Sequence, residues 1–331
     1  MAAVREYPFT DSGRQQEHGF HCMNQEADMA RSNQKLAFAL LFFTFFVWGS
    51  IYVTGKMISD DIPASLVACL RCVTAMIPLC FMSRKYLKTK IERKDWKYFF
   101  LVGALGYFLT VQMIQLGIAL TGASMAALIN AMTPVAVTIL AAIILKERIT
   151  PVKCLCLVLA LAGTIVITSG ASTHGETMGI AVVLVGVVSF AAASVYMRRL
   201  TAKYPAVLVT TYSMAISLIF HIPAGIVTVC TRPVTITPLG VAVILYLGFA
   251  GSGVAQYTWT KCLSMLPAST CSLFYPLQPA FAALLGAWLL GETFTPAFFI
   301  GLMLISLDVI LNTWETRQMD KAPTAKESSN A

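Results

Sequence analysis

The side chains able to do chemistry in this chain are few, polar and mostly uncharged, and they recur at helical spacing inside apolar stretches. Gln112 and Gln115 are three residues apart, as are Asn130 and Thr133, Gln256 and Trp259, and Tyr275 and Gln278; Thr44, Trp48 and Tyr52 follow at intervals of four. Both spacings bring side chains onto one helix face. Amides, indoles and phenols so placed can hydrogen-bond and stack against a small polar solute. Catalysis would need paired acids, a histidine cluster or a nucleophile beside a base. Of the four histidines, His18 and His21 sit near the N-terminus, and His221 has no Asp or Glu beside it in the sequence.

Arg71 differs in kind. It is a cation in the middle of an apolar run, LVACLRCVTA. Such a charge at membrane depth costs at least ~2.5–3.5 kcal/mol on insertion scales, so it requires a partner or water. It can attract a solute carboxylate or other anion, or bond helix carbonyls and fix a bend. Both readings stay open at this stage. Trp48 and Tyr275 likewise divide between solute contact and packing.

The elements that must position these groups are membrane helices. The chain is 57% hydrophobic and 12% charged, about half the charge of a soluble domain, with a mean hydropathy of +0.72. Ten segments reach the ~17–25 residues of a bilayer span. Numbered as spans 1 to 10, they lie near 36–58, 62–82, 97–119, 122–145, 152–170, 178–197, 206–229, 238–260, 267–290 and 296–314. The fold expected is an all-α membrane protein.

The net charge of +8 is orientation charge rather than a nucleic-acid signal, because the bases fall in short loops between spans. Arg84, Lys85, Lys88, Lys90, Arg93, Lys94 and Lys97 crowd one loop, which the positive-inside rule places in the cytosol. Counting from there leaves only Lys56 and Arg232 outside and puts both termini in the cytosol. Residues 1–35 are polar, lack a signal-peptide core and read as a disordered cytosolic tail. Residues 171–177 form an external linker and 315–331 a cytosolic tail. The nine cysteines show no disulfide framework. Cys69-x-x-Cys72 lies in an apolar helix without a second pair, so neither a metal nor a cofactor is expected.

The chain is also duplicated. Ala123–Pro151 recurs at Ala268–Pro296, an offset of 145, with Pro134/Pro279, Glu147/Glu292 and Pro151/Pro296 in register. At the front of each half the offset is 142, aligning Trp48 with Phe190, Lys56 with Arg198 and Pro63 with Pro205. Five spans per half, 36–170 and 178–314, make the second copy enter the membrane upside down. Lys146-Glu147-Arg148 becomes Gly291-Glu292-Thr293, losing both bases, as an inverted copy should. Inverted five-helix repeats around a central cavity are a transporter architecture.

Polar residues in a bilayer face protein or water. Spans 1–4 and 6–9 carry polar stripes; spans 5 and 10 are poorer, apart from Asp308. The cavity candidates are therefore Trp48, Arg71, Gln112, Asn130, Gln256, Trp259, Tyr275 and Gln278. Pro134 and Pro279, each expected mid-helix, would kink spans 4 and 9 and serve as hinges or as static bends. Glu147 and Glu292 each precede a Thr-Pro pair, where Thr150 or Thr295 can cap the next helix and Pro151 or Pro296 can open it.

At Trp48-Gly49-Ser50, Pro63, Arg71, Pro134, Lys146–Pro151 and Gly291–Pro296, the chain resembles the drug/metabolite transporter superfamily, in its ten-helix EamA-type branch. The resemblance implies a basket-like bundle that carries amino acids, other metabolites or drugs, often as an exporter of the bacterial inner membrane. Asp308 departs from the apolar span 10 expected of the family. The function expected is a secondary transporter moving a small metabolite, such as an amino acid, by alternating access. No GxxxxGK[ST] nucleotide motif occurs. The alternatives are a membrane-embedded enzyme and a non-transporting scaffold. The partners implied are a small-molecule substrate and the lipid bilayer; a homodimer is compatible with both, and nucleic acid is not.

Overall fold

The computed structural model describes residues 12–145, 150–152, 154–155, 158–159, 162, 174–272, 274–275, 277–291 and 296–319. All regular structure among them is helical. Eight helices are long and apolar enough to cross a bilayer: Lys35–Met57, Ala64–Tyr86, Arg93–Thr121, Ala123–Ile144, Thr177–Thr201, Ala206–Thr231, Pro238–Met265 and Thr270–Leu290. These are spans 1–4 and 6–9. Span 5 falls mostly outside the described residues, and span 10 is the helix Pro296–Met319, which is not among the eight. Eight of the ten expected spans are thus seen among the described residues.

The tail expected to be disordered carries a helix instead, because the helix of span 1 begins at Ser12 and runs unbroken to Met57. Residues 14–31 supply the reason. They are rich in Gln, Glu, Met, Ala and Arg and lack proline, and extending an existing helix avoids the cost of nucleation.

The duplication persists at atomic detail. Pro63 and Pro205 begin spans 2 and 7 with φ/ψ of −56°/139° and −55°/134°. Each carbonyl accepts from the third and fourth following amides, at 2.9 and 3.1 Å in both copies. A proline suits this position because its missing N–H would have no helical acceptor there.

Spans 4 and 9 are broken rather than kinked. Span 4 consists of Ala123–Asn130 and Thr133–Ile144, with Pro134 in the first turn of the second piece. Span 9 consists of Ala268–Ser272 and Leu277–Leu290, with Pro279 in the equivalent turn. A proline inside one continuous helix would leave a carbonyl unpaired and clash with it. Restarting the helix avoids both. The freed Asn130 carbonyl accepts instead from the Thr133 hydroxyl at 2.6 Å. Its counterpart, the Tyr275 carbonyl, accepts from the Gln278 backbone N–H at 2.9 Å.

Spans 3 and 8 share a second irregularity. Each contains a π-helical stretch, Val102–Leu109 and Leu247–Ala255, at the same place in the repeat. Such stretches are uncommon and concentrate at functional sites. They bring a glycine against the opposite repeat. A Cβ on Gly248 would lie 2.8 Å from the Arg71 carbonyl of span 2 and would also meet Thr74. A Cβ on Gly103 would lie 2.7 Å from the Ser213 carbonyl of span 7 and would also meet Ile216. By the 142-residue offset, Ser213 and Ile216 are the counterparts of Arg71 and Thr74. Span 1 packs along span 9, and span 4 along span 6, in the same crossed manner. The core is therefore built mainly between repeats.

Candidate functional site

A cavity of about 70 Å³ lies between the two repeats. Its wall is made by Trp48, Ile51 and Tyr52 of span 1, Arg71 of span 2, Gly106, Thr110, Val111 and Ile114 of span 3, and Asn130 of span 4. The second repeat adds Phe190 of span 6, Gln256 of span 8, and Tyr275 and Gln278 of span 9.

Arg71 gives the cavity its charge. The residue is 6% exposed, and its Nε donates to the Ser252 Oγ at 2.8 Å. The ion pairs among the described residues join Glu92 and Asp95 to Lys94 and Lys203; none includes Arg71. A guanidinium without a carboxylate partner thus faces the cavity with planar donors to spare. The Gln256 Nε2 is buried without a hydrogen bond of good geometry, and the Tyr107 hydroxyl lies beside its amide. The remaining Arg71 donors are left for whatever enters. The counterpart of Arg71 is the neutral Ser213, so the charge sits on one side of the pseudo-symmetric bundle.

Rings form the rest of the wall. Trp48 and Phe190, which are repeat counterparts, meet edge to face with centroids 5.7 Å apart. Tyr275 lies 6.2 Å from Trp48 and 6.1 Å from Phe190. Trp48 is fixed in turn by its Nε1, which donates to the Gly251 carbonyl at 3.3 Å. Edge-to-face rings hold their geometry through quadrupole attraction, so this wall is preformed.

The helix breaks supply the amides. Asn130 Nδ2 donates to Gln278 Oε1 at 2.8 Å. Asn130 and Tyr275 are repeat counterparts, as are Thr133 and Gln278. The complementary pair also meets, the Tyr275 hydroxyl lying against Thr133. Tyr52 adds its hydroxyl beside Asn130.

The structure thus brings Trp48, Arg71, Asn130, Gln256, Tyr275 and Gln278 to one cavity, and leaves two candidates out. Gln112 turns away, its Nε2 3.3 Å from His221 Nδ1. His221 Nε2 in turn lies 3.0 Å from the Tyr107 carbonyl and so bears the proton, which leaves Nδ1 to accept from Gln112. This is amide glue between helices. Trp259 is fully buried behind the wall, 5.6 Å from Trp48 and 5.7 Å from Tyr275. Tyr52, Phe190 and Ser252 join the site from outside the candidate set. The match of Phe190 to Trp48 and the four-residue spacing of Tyr52 from Trp48 were the available signals for two of them.

Pro151 is helical, with Cys154 N bonded to the Thr150 carbonyl at 3.1 Å, and Pro296 lies in the helix Pro296–Met319. Glu147, Glu292 and the side chain of Asp308 lie outside the described residues. Among the described residues, no three His, Cys, Asp or Glu gather as a metal site.

Comparison with known proteins places this architecture. The model of the EamA-like transporter family matches residues 35–169 and again 177–314. An uncharacterized transporter of Clostridium kluyveri is 23% identical over 310 residues, covering 90% of this chain and 99% of its own length. The uncharacterized transporter YetK of Bacillus subtilis is 23% identical over 290 residues, covering 85% and 88%. An uncharacterized transporter of Archaeoglobus fulgidus is 26% identical over 277 residues, covering 82% and 96%. One crystal structure aligns with a TM-score of 0.67 at 18% identity, over 86% of this chain and 99% of the other; that likeness is one of fold.

Proposed function

Since the chain belongs to the EamA-like transporter family, we propose that it is a secondary transporter of a small anionic or zwitterionic metabolite, such as an amino acid, and works by alternating access. The observation that carries this reading is Arg71, a buried guanidinium on the cavity wall without a carboxylate partner among the described residues. A structural arginine is expected to be neutralised by protein. An arginine kept for a solute is expected to have free donors facing a space. Gln256 Nε2 serves as the second donor, and the Trp48, Phe190 and Tyr275 rings receive the uncharged part of the solute.

Ten spans in two inverted halves, with both termini in the cytosol of a bacterial inner membrane, complete the proposal. The crossed packing of counterpart helices and the bias of basic loops support it. The breaks before Pro134 and Pro279 are the hinges. Each half-helix is rigid, and the residues between its pieces can absorb a rotation. Export is favoured by the family likeness.

Flux tests the reading. Proteoliposomes are loaded with a panel of amino acids, organic acids and amines. Efflux or exchange of at least one carboxylate solute, absent from empty vesicles, is expected. Flux confined to cations, or absent across the panel, would overturn it.

A further inference from the structure

A second cleft, of about 260 Å³, opens at the basic end of the bundle, away from the central cavity. It is lined by Lys94, Asp95, Lys97 and Tyr98 at the start of span 3, and by Arg199 and Lys203 at the end of span 6. Its charges do not cancel. Lys94 pairs with Glu92 at 2.6 Å. Lys203 pairs with the buried Asp95 at 3.1 Å, whose carboxylate also accepts from the Tyr204 hydroxyl at 2.8 Å. These contacts consume both acids. Lys97 and Arg199 remain, with no carboxylate partner among the described residues. Both stand over the Tyr98 ring, at 5.0 and 4.7 Å from its centroid. Tyr98 is itself held by stacking on Tyr196 at 5.5 Å.

We propose that this cleft binds the headgroup of an anionic phospholipid, its phosphate lying between Lys97 and Arg199. Cation–π contact orients a cation while leaving its N–H donors free. Guanidinium and ammonium groups so oriented match phosphate oxygens. A lipid is favoured over a soluble phosphate by the neighbours in the chain. Trp96 and Phe100 flank Lys97 and Tyr98 and are 42% and 48% exposed, as suits aromatic side chains at the headgroup level. Basic pockets between membrane helices recognise anionic headgroups in this way.

Native mass spectrometry of the full chain in equimolar phosphatidylglycerol–phosphatidylcholine nanodiscs tests the site. The wild type is expected to retain phosphatidylglycerol in preference to phosphatidylcholine. Lys97→Gln/Arg199→Gln is expected to bind it roughly 10- to 30-fold more weakly, from about 1 kcal/mol per basic residue. Arg199→Lys, which keeps the charge, is expected to retain the preference. Lys88→Gln/Lys90→Gln removes equal charge from the same loop outside the cleft and is expected to leave the preference intact. Equal loss in that control, or no preference in the wild type, would overturn the site. Displacement of the bound lipid by inorganic phosphate at comparable concentration would overturn the choice of a lipid.

Discussion

Asn130 Nδ2 donates to Gln278 Oε1 at 2.8 Å, and the two residues belong to opposite repeats, each beside the break in its own span. The bond joins the two discontinuities directly. Substituting Asn130→Ala and Gln278→Ala singly and together is expected to give a non-additive loss of thermal stability in detergent. The expected coupling is about 0.6 kcal/mol, the average for such bonds in membranes. Additive losses would mean that the two amides do not act as a pair.

Gln112 and Gln256 are expected to part company. Gln112→Leu removes a bond to His221 and should lower the thermal midpoint while leaving solute affinity unchanged. Gln256→Leu removes an amide from the cavity wall. It should weaken solute binding by about 1–3 kcal/mol, as for a lost hydrogen bond in a buried site, with little effect on stability. Isothermal titration and thermal unfolding of both variants check the contrast.

The glycines of the π-helical stretches lead to a third expectation. Gly248→Ala places a methyl 2.8 Å from the Arg71 carbonyl, and Gly103→Ala places one 2.7 Å from the Ser213 carbonyl. Backbone cannot yield as a flexible side chain can, so each should cost about 1–3 kcal/mol as overpacking. Thermal midpoints should fall in both variants, because each methyl meets a backbone carbonyl of the opposite repeat. An unchanged midpoint in either would mean that the repeats can separate there without cost.

Trp48→Ala and Trp259→Ala separate wall from support. Trp48 faces the cavity and Trp259 stands behind it. Trp48→Ala is expected to reduce solute affinity at modest cost to stability. Trp259→Ala is expected to cost about 3–5 kcal/mol of stability, as for a large buried side chain. Binding and unfolding measured on the same preparations distinguish them.

The membrane class and the two copies were legible in the sequence because composition and repeat register are properties of residue type alone. Arg71 was legible because a lone charge in an apolar run has few explanations. The misplacement of Gln112 has a specific cause. A π-helical stretch widens the turn, so a face projected at 3.6 residues per turn is rotated downstream of Leu109. The repeat held the correction: the counterpart of Gln256 is Val111, not Gln112, and Val111 does line the cavity. Pro134 and Pro279 marked the right places but not the right geometry. A proline reads equally as a kink or as the first turn of a new helix; the freed carbonyls find different donors, the Thr133 hydroxyl for Asn130 and the Gln278 backbone N–H for Tyr275.

The central claim is that Arg71 holds the carboxylate of the transported solute. A carboxylate solute carried by the wild type is compared with its carboxamide analogue in binding to wild type, Arg71→Lys and Arg71→Gln, each verified as folded by its thermal midpoint. The wild type should prefer the carboxylate by at least about tenfold, the equivalent of about 1.4 kcal/mol. Arg71→Lys should keep part of that preference and Arg71→Gln should lose it. An undiminished preference in folded Arg71→Gln would contradict the account.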